Sequence, residues 1–577
     1  MVSVSPETWF KNAVVYAVDV EAFNDSDGDG VGDFQGLTQK LDYLDRLGVS
    51  ALWLLPFYPT PNRDNGYDVS DYYGVDPRLG TLGDFVEFMD EAEARGIRVI
   101  IDLVVNHTSD QHPWFKAAQE DPDSKYRDYY VWVDERPPPD PERATVFPGE
   151  VEDERVWTYD EEADAYYYHR FYPFQPDLNL ANPDVRAEIY RIMKFWLELG
   201  VAGFRVDAAT LMIQPKHPDA EQLDDPHEVL RSLKRHAVAR RSDAVLLAEA
   251  DDAPGELESY FGDGAEMDLL MNFVLNAHLV AALATERAAP LAEGLERLPP
   301  ADVGQWMNFL RNYDELNIGR LPKDLQDEVF ERFAPDTDMR IYGRGIRRRL
   351  APMLDGDERR VKLAFSLLFS MPGTPMLLYG DEIGMGEDLS LPGRTSVRTP
   401  MQWTDEENAG FSTASEDDLV LPVVSGGRFG HEEVNVAAQR ADAESLLNWM
   451  ERLIATRRES REIGEGSFSV IDVDHPCAFA HRYDFNGNAV VCVHNLSDGK
   501  CSLEFDLDLV QGDALYPLLG NADHTRHDDG SCEITLDDYG YIWLRLHRTG
   551  AGASRRSASE SGQQSRPEGP RAQSESR

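Results

Sequence analysis

Residues 203–208 read Gly203-Phe204-Arg205-Val206-Asp207-Ala208, and the fold follows from how this stretch recurs in kind along the chain. Its apolar run carries an Arg and an Asp two residues apart, which on a strand of period two project to the same side. A guanidinium beside a carboxylate favours the ionised form, so Asp207 is expected to stay charged, as suits a group that attacks or stabilises a developing cation. Outward from here, apolar strand-like runs stand at 14–20, 51–56 and 99–105 before it, and at 245–250, 267–273, 306–312 and 374–379 after it. Helical apolar spacing fills 37–47 and 82–95. Continuous apolar strands between amphipathic helices argue a parallel sheet with crossovers, and eight of them predict an α/β fold, a closed (β/α)8 TIM barrel.

Two segments break the rhythm. Residues 106–180 are rich in Tyr, Trp, Pro and Asp without helix–strand alternation, and they follow the third strand. An insertion there belongs at the active-site rim, so 106–180 is expected to be an inserted subdomain between barrel segments 1–105 and 181–458. From 459 short alternating strands such as 489–494 and 539–546 lie between Gly, Asn and Asp turns, which predicts a C-terminal antiparallel β-sandwich over 459–548. Residues 549–577 have no apolar periodicity and read as a disordered tail.

The chain has 577 residues, 105 acidic against 56 basic, for a formal net charge of -49. Ten of the basic residues are Lys, leaving 46 Arg. So negative a surface repels nucleic-acid phosphate and anionic membrane, and neither is expected as a partner. Self-repulsion on this scale is tolerable where salt screens it, since the Debye length falls to about 3 Å at 1 M, and a halophilic, salt-rich cytoplasm is the expected setting. The first residues have no basic n-region, 13–18 is too short for a signal h-region, and no run has the apolar length of a membrane span, which points to a cytoplasmic protein. Cys477, Cys492, Cys501 and Cys532 lack CxxC spacing and read as buried thiols rather than zinc ligands.

After the first strand comes Asp25-Ser26-Asp27-Gly28-Asp29-Gly30-Val31-Gly32-Asp33. Counting Asp25 as position 1, carboxylates occupy positions 1, 3, 5 and 9, Gly30 position 6, and Val31 offers its carbonyl at 7. That is calcium-loop spacing, although Gly36 stands where an EF-hand carries its bidentate Glu. Structural Ca²⁺ is expected on Asp25, Asp27, Asp29, Val31 and Asp33, and no organic cofactor is expected.

Carboxylates also mark the C-terminal ends of three predicted strands: Asp207, Glu249 in Leu246-Leu247-Ala248-Glu249-Ala250, and Asp314 in Asn312-Tyr313-Asp314-Glu315. Barrel enzymes build their catalysis at that end. Glu249, flanked by Ala after an apolar strand, sits where desolvation raises a carboxyl into the range of a general acid. One carboxyl kept protonated and another kept charged is the division of labour of glycoside cleavage through an oxocarbenium-like transition state.

Asp102-Leu103-Val104-Val105-Asn106-His107, the 203–208 stretch, the Glu249 strand and 312–315 together resemble the four sequence regions of the α-amylase superfamily of glycoside hydrolases and transglycosylases. The resemblance covers about 10–548. Asp25 to Asp33 resembles the calcium loop of its oligo-1,6-glucosidase branch, and Gln175-Pro176-Asp177-Leu178-Asn179 resembles that branch's signature. It implies Asp207 as nucleophile, Glu249 as general acid/base and Asp314 as transition-state stabiliser. Tyr67, Asp68, His107 and Arg205 are implied to hold the sugar, and Arg398 in Arg398-Thr399-Pro400-Met401-Gln402-Trp403 to grip the non-reducing glucose, while Gln175 and Tyr313 are further candidate substrate-binding residues. Such a pair acts by retention, with carboxyls roughly 5–5.5 Å apart. With Asp68, Arg398 closes the pocket behind one glucose, which implies exo action on small α-glucosides. Stretches at 108–115, 126–132, 157–179, 346–354 and 380–385 are most similar to trehalose synthases, which isomerise maltose and trehalose. Two features depart from that pattern: Tyr313 replaces the family's His, and 211–228 lacks the Asn/Glu-rich acceptor-side segment. The rival readings are a hydrolytic α-glucosidase, oligo-1,6-glucosidase or α-amylase, and, more remotely, a non-catalytic amylase-like module, which predicts a membrane anchor and eroded acids that this sequence lacks.

Overall fold

The computed structural model describes residues 6–138, 144–149, 156–216, 223–299, 304–507, 509, 513–527 and 530–547, so the tail expected at 549–577 lies outside the described residues. Eight parallel strands close into a barrel: β1 Val15–Val18, β2 Ala51–Leu54, β3 Arg98–Leu103, β4 Gly203–Val206, β5 Val245–Ala248, β6 Leu269–Met271, β7 Gln305–Asn308 and β8 Thr374–Leu378. Each pairs with its neighbours in sequence, and β8 closes on β1 through Val15 opposite Met376. All these strands are buried on both faces, which is why they read as continuous apolar runs. Gly203 is required at its place: a Cβ there would stand 2.1 Å from the carbonyl oxygen of Val245 on β5.

The expected strand at 306–312 is shorter than its apolar pattern, ending at Asn308, so Asp314 is carried by the following loop rather than by a strand end. The helical pattern of 37–47 resolves into two helices, Phe34–Gln39 and Leu41–Leu47, because Lys40 leaves helical geometry at φ -98, ψ 3. The insertion is more regular than its sequence suggests. It holds a helix, Pro113–Glu120, and a three-stranded antiparallel sheet with Ala165–Tyr168 between Trp132–Val133 and Trp157–Asp160. Its two ends meet: His107 bridges to Asp177 and Tyr130 to Leu178.

A second excursion, between β7 and β8, carries the helix Lys323–Phe333 and a small sheet of Leu316–Asn317, Gly345–Ile346 and Arg340–Ile341. The C-terminal unit starts at Ser467, after the helix Arg461–Glu465. A five-stranded and a three-stranded antiparallel sheet face each other across Val491, Val493, Leu503, Phe505, Ile534 and Leu544, as expected of a sandwich. Cys492, Cys501 and Cys532 are buried free thiols and Cys477 is half-buried. Among the described residues no helix is long and apolar enough to cross a membrane.

Candidate active site

Barrel register makes the first contact. Asp102 on β3 and Arg205 on β4 are paired across the sheet, and Arg205 Nη1 donates to Asp102 Oδ1 at 2.8 Å. The same nitrogen donates to Asp207 Oδ1, and Nη2 lies 2.9 Å from Glu249 Oε2. Asp207 and Glu249 directly follow the ends of β4 and β5, which places both above the barrel mouth. Ala208 adopts left-handed backbone (φ 46, ψ 41), a conformation that costs an ordinary residue roughly 1–2 kcal/mol. That turn aims its N–H at Glu249 Oε2, 3.0 Å away.

One cation thus serves three carboxylates in a desolvated site, and three negative charges cannot all persist there. Burial lifts Asp102 and Asp207 to about 6 against the pull of Arg205, and lifts Glu249 to about 7. Glu249 is therefore the group that retains a proton near neutrality, as a general acid requires. Burial raises Asp207 while Arg205 pulls it back, which leaves its carboxyl, at about 6, mainly ionised near neutrality and below Glu249. Asp314 behaves oppositely. Burial opposes its charge, but Arg394, Arg398 and Arg205 bring it below the usual carboxylate range. Arg394 Nη1 and Arg398 Nη2 reach its Oδ1 at 2.5 and 3.0 Å.

Above these acids lies a cavity of about 240 Å³, at the small end of ligand clefts, which Asp207, Glu249, Asp314, Tyr67 and His107 all line. The Tyr67 hydroxyl is buried without a protein partner, and burial keeps the phenol protonated. His107 is neutral, its pKa lowered by burial, and its Nε2 faces the Tyr67 carbonyl at 3.1 Å, which fixes the proton on that nitrogen.

The other expected sugar contacts stand behind the wall. Arg205 is buried beneath the acids. Asp68 is fully buried in the loop after β2, accepting from Thr60 Oγ1 and the Arg63 and Asp64 amides. Arg398 turns its guanidinium to Asp314 and Asn65 and its Nε to the Tyr313 carbonyl. Neither Asp68 nor Arg398 reaches the cavity, so the expected Asp68–Arg398 closure is corrected. Asp64 and Arg394, 2.9 Å apart, close that side instead. Gln175 acts on Asp64, donating from Nε2 at 2.9 Å. Tyr313 also withdraws: its hydroxyl donates to Asp19 Oδ2 at 2.5 Å, so it does not replace the missing imidazole at the sugar.

The sequence reading missed Asp64, Arg394, Phe147, Phe171, Asp251, Asn317 and Arg344 in the lining. Arg394 lies four residues before Arg398, close enough to suspect, whereas Phe147 and Arg344 sit in irregular chain that periodicity cannot place. Arg344 Nη2 joins the two excursions, reaching the Val146 carbonyl at 3.1 Å and Glu315 Oε1 at 3.2 Å. Phe147 packs among Phe171, Tyr342 and the Arg394 guanidinium.

In the acidic loop, one ligand oxygen each from Asp25, Asp27 and Asp29 lie within 4.8 Å of one another, around Gly30 at φ +93. Asp33 departs from the expected ligand set: its carboxylate accepts from Ser26 and from the Gly36 amide, capping the helix that follows. The all-oxygen set of the other three suits a hard cation.

Residues 18–466 match the family model described as alpha amylase, catalytic domain, and 487–545 the one described as sucrose hydrolase-like, C-terminal domain. Trehalose synthase/amylase TreS of Mycobacterium tuberculosis is 40% identical over 554 residues, 94% of this chain and 92% of that protein. Trehalose synthase of Pimelobacter sp. is 40% identical over 93% of this chain and 96% of its own length. Among solved structures, the trehalulose synthase MutB superposes with a TM-score of 0.75 at 27% identity, covering 93% of this chain and all of that one.

Proposed function

This chain belongs to the α-amylase family, and from that premise we propose that it is a retaining α-glucoside enzyme of trehalose-synthase type, interconverting maltose and trehalose with hydrolysis as the side reaction. The observation that carries the reading is the single Arg205 guanidinium holding Asp207 and Glu249 together under a small closed-backed cavity. Trehalose synthases similar over nearly the whole chain support the substrate.

In this mechanism Asp207 attacks the anomeric carbon while Glu249 gives its proton to the glycosidic oxygen, releasing glucose and leaving a β-glucosyl ester on Asp207. The released glucose turns within the cavity. Glu249, now ionised, takes the proton from its anomeric hydroxyl, whose oxygen attacks the anomeric carbon of the bound glucosyl unit, breaking its bond to Asp207, freeing that carboxylate and forming the α,α-linkage. Asp314 stays ionised through both steps because Arg394 and Arg398 hold it so, and its negative charge stabilises the developing oxocarbenium. Water arriving first yields two glucoses. Phe147, Phe171 and the Arg344 bridge support exclusion of water while glucose turns.

The same proposal places a structural calcium ion on Asp25, Asp27 and Asp29, where it would tie the first βα loop to the 411–413 turn through the bond from Ser412 to Asp25. It places the protein in a salt-rich cytoplasm, with small saccharides rather than nucleic acid or membrane as its partners, in keeping with its charge of -49. The experiment is ¹³C NMR of maltose with pure enzyme in high salt and calcium. Trehalose ahead of free glucose is expected. Glucose alone would reduce the enzyme to an α-glucosidase.

A further inference from the structure

Tyr313 stands beside a catalytic acid, yet points away from the cavity, and its contacts form a chain. Asp19, the first residue after β1, is 9% exposed and anchored by the Glu21 amide at Oδ1. Its Oδ2 takes the Tyr313 hydroxyl at 2.5 Å. The Tyr313 ring lies under the Arg398 guanidinium, 3.8 Å from its centroid, and the Tyr313 carbonyl accepts from Arg398 Nε at 3.1 Å. Arg398 Nη2 then reaches Asp314. Tyr313 and Arg398 are both 2% exposed, so the Tyr313-to-Arg398 part of the path is shielded from solvent.

We propose that Asp19 is a positioning residue for this enzyme: through the Tyr313 phenol and ring it sets Arg398 against Asp314, and so fixes the carboxylate that faces the developing cation. The inference rests on the α-glucoside reading above. Its physics is that a phenol donating to a carboxylate becomes more electron-rich on its face, which strengthens its hold on a guanidinium stacked there. The ring and the backbone carbonyl of one residue then fix both the plane and the rotation of Arg398, and hence which of its nitrogens meets Asp314. Asp19 touches no substrate and acts only through this chain.

The test is a double-mutant cycle of Asp19→Asn and Tyr313→Phe, read by hydrolysis of a nitrophenyl α-glucoside with active sites counted by covalent labelling of the nucleophile with a fluoroglucosyl inactivator. Each single change is expected to lower kcat about tenfold with KM within about twofold, and the double variant to fall no further, because both break one chain. Binding of a protonated iminosugar should weaken in step with kcat while glucose binding holds. Asp19→Asn keeps an acceptor for the phenol, so it separates charge from folding if Tyr313→Phe is unstable. Additive losses, or a lowered Tm with kcat per active site unchanged, would overturn the relay and leave the α-glucoside reading standing. A wild type inert on every α-glucoside would overturn both.

Discussion

Replacing Glu249 by Gln separates the proton donor from everything else the residue does. The amide oxygen can still accept from Ala208 N–H and Arg205 Nη2, at 3.0 and 2.9 Å from the present oxygen, so the site should keep its shape. What disappears is the proton for the leaving sugar, worth about 10²–10⁴ in rate, or roughly 3–5 kcal/mol of barrier. Turnover of maltose should fall by that factor, while an α-glucoside with a nitrophenolate leaving group should show fast glucosylation and a slow second step, seen as a burst in stopped flow.

Stability supplies an independent reading of the same change. Burial raises the folded pKa of Glu249 above its ordinary value of 4.5, to about 7, so its favourable protonated form is fully present below pH 4.5 and the benefit is lost as pH rises through 7. The Gln variant should match wild type near pH 4 and exceed it above pH 7. The raised pKa sets an upper bound on the order of 3 kcal/mol, reduced by the 24% exposure of the side chain. Thermal melts across that range test it. A variant that keeps more than a tenth of the maltose rate, with no burst on the activated substrate, would refute Glu249 as the acid.

Asp207→Ala should abolish turnover by more than about a hundredfold while circular dichroism and Tm stay native, since it removes the nucleophile from a site already overloaded with negative charge. Arg394→Met should lower kcat and raise the pKa of Asp314, read by NMR titration of its carboxyl carbon, because it removes the nearer of two cations on Oδ1. Chelating calcium should lower Tm in wild type but not in Asp27→Asn, and dialysis to low salt should lower Tm in both. A melting temperature indifferent to salt would remove the halophilic interpretation.

Strands were the most readable part of the chain because barrel strands buried on both faces are mostly apolar, with the few polar exceptions such as Asp102 and Arg205 paired to each other, and β1 to β8 each left an apolar run. Asp207 and Glu249 were readable for the same reason: each is the carboxylate that directly follows such a run. Asp314 was harder, since its strand ends six residues earlier and only local motif pointed to it. What escaped was set by side-chain direction in loops. Asp68 and Asp64 sit four apart around the same turn, and nothing in their order says that the latter faces the cavity. Arg398 is aimed by Tyr313 and Asn65, residues distant from it in sequence. The rise that burial gives Asp207 was not legible, because a neighbouring Arg is visible in sequence whereas depth of burial is not.

The meeting of the insertion's two ends, where His107 bridges to Asp177 and Lys216 ties Asn106 to the same Asp at 2.6 and 2.7 Å, has a consequence for how such a protein diversifies. Chain that leaves and returns at one point adds little closure entropy however long it is. The barrel therefore experiences residues 106–180 as a cassette on a single socket. Its length and walls can be rewritten to suit another sugar while the acids below keep their register, provided Asp177 remains to lock it shut.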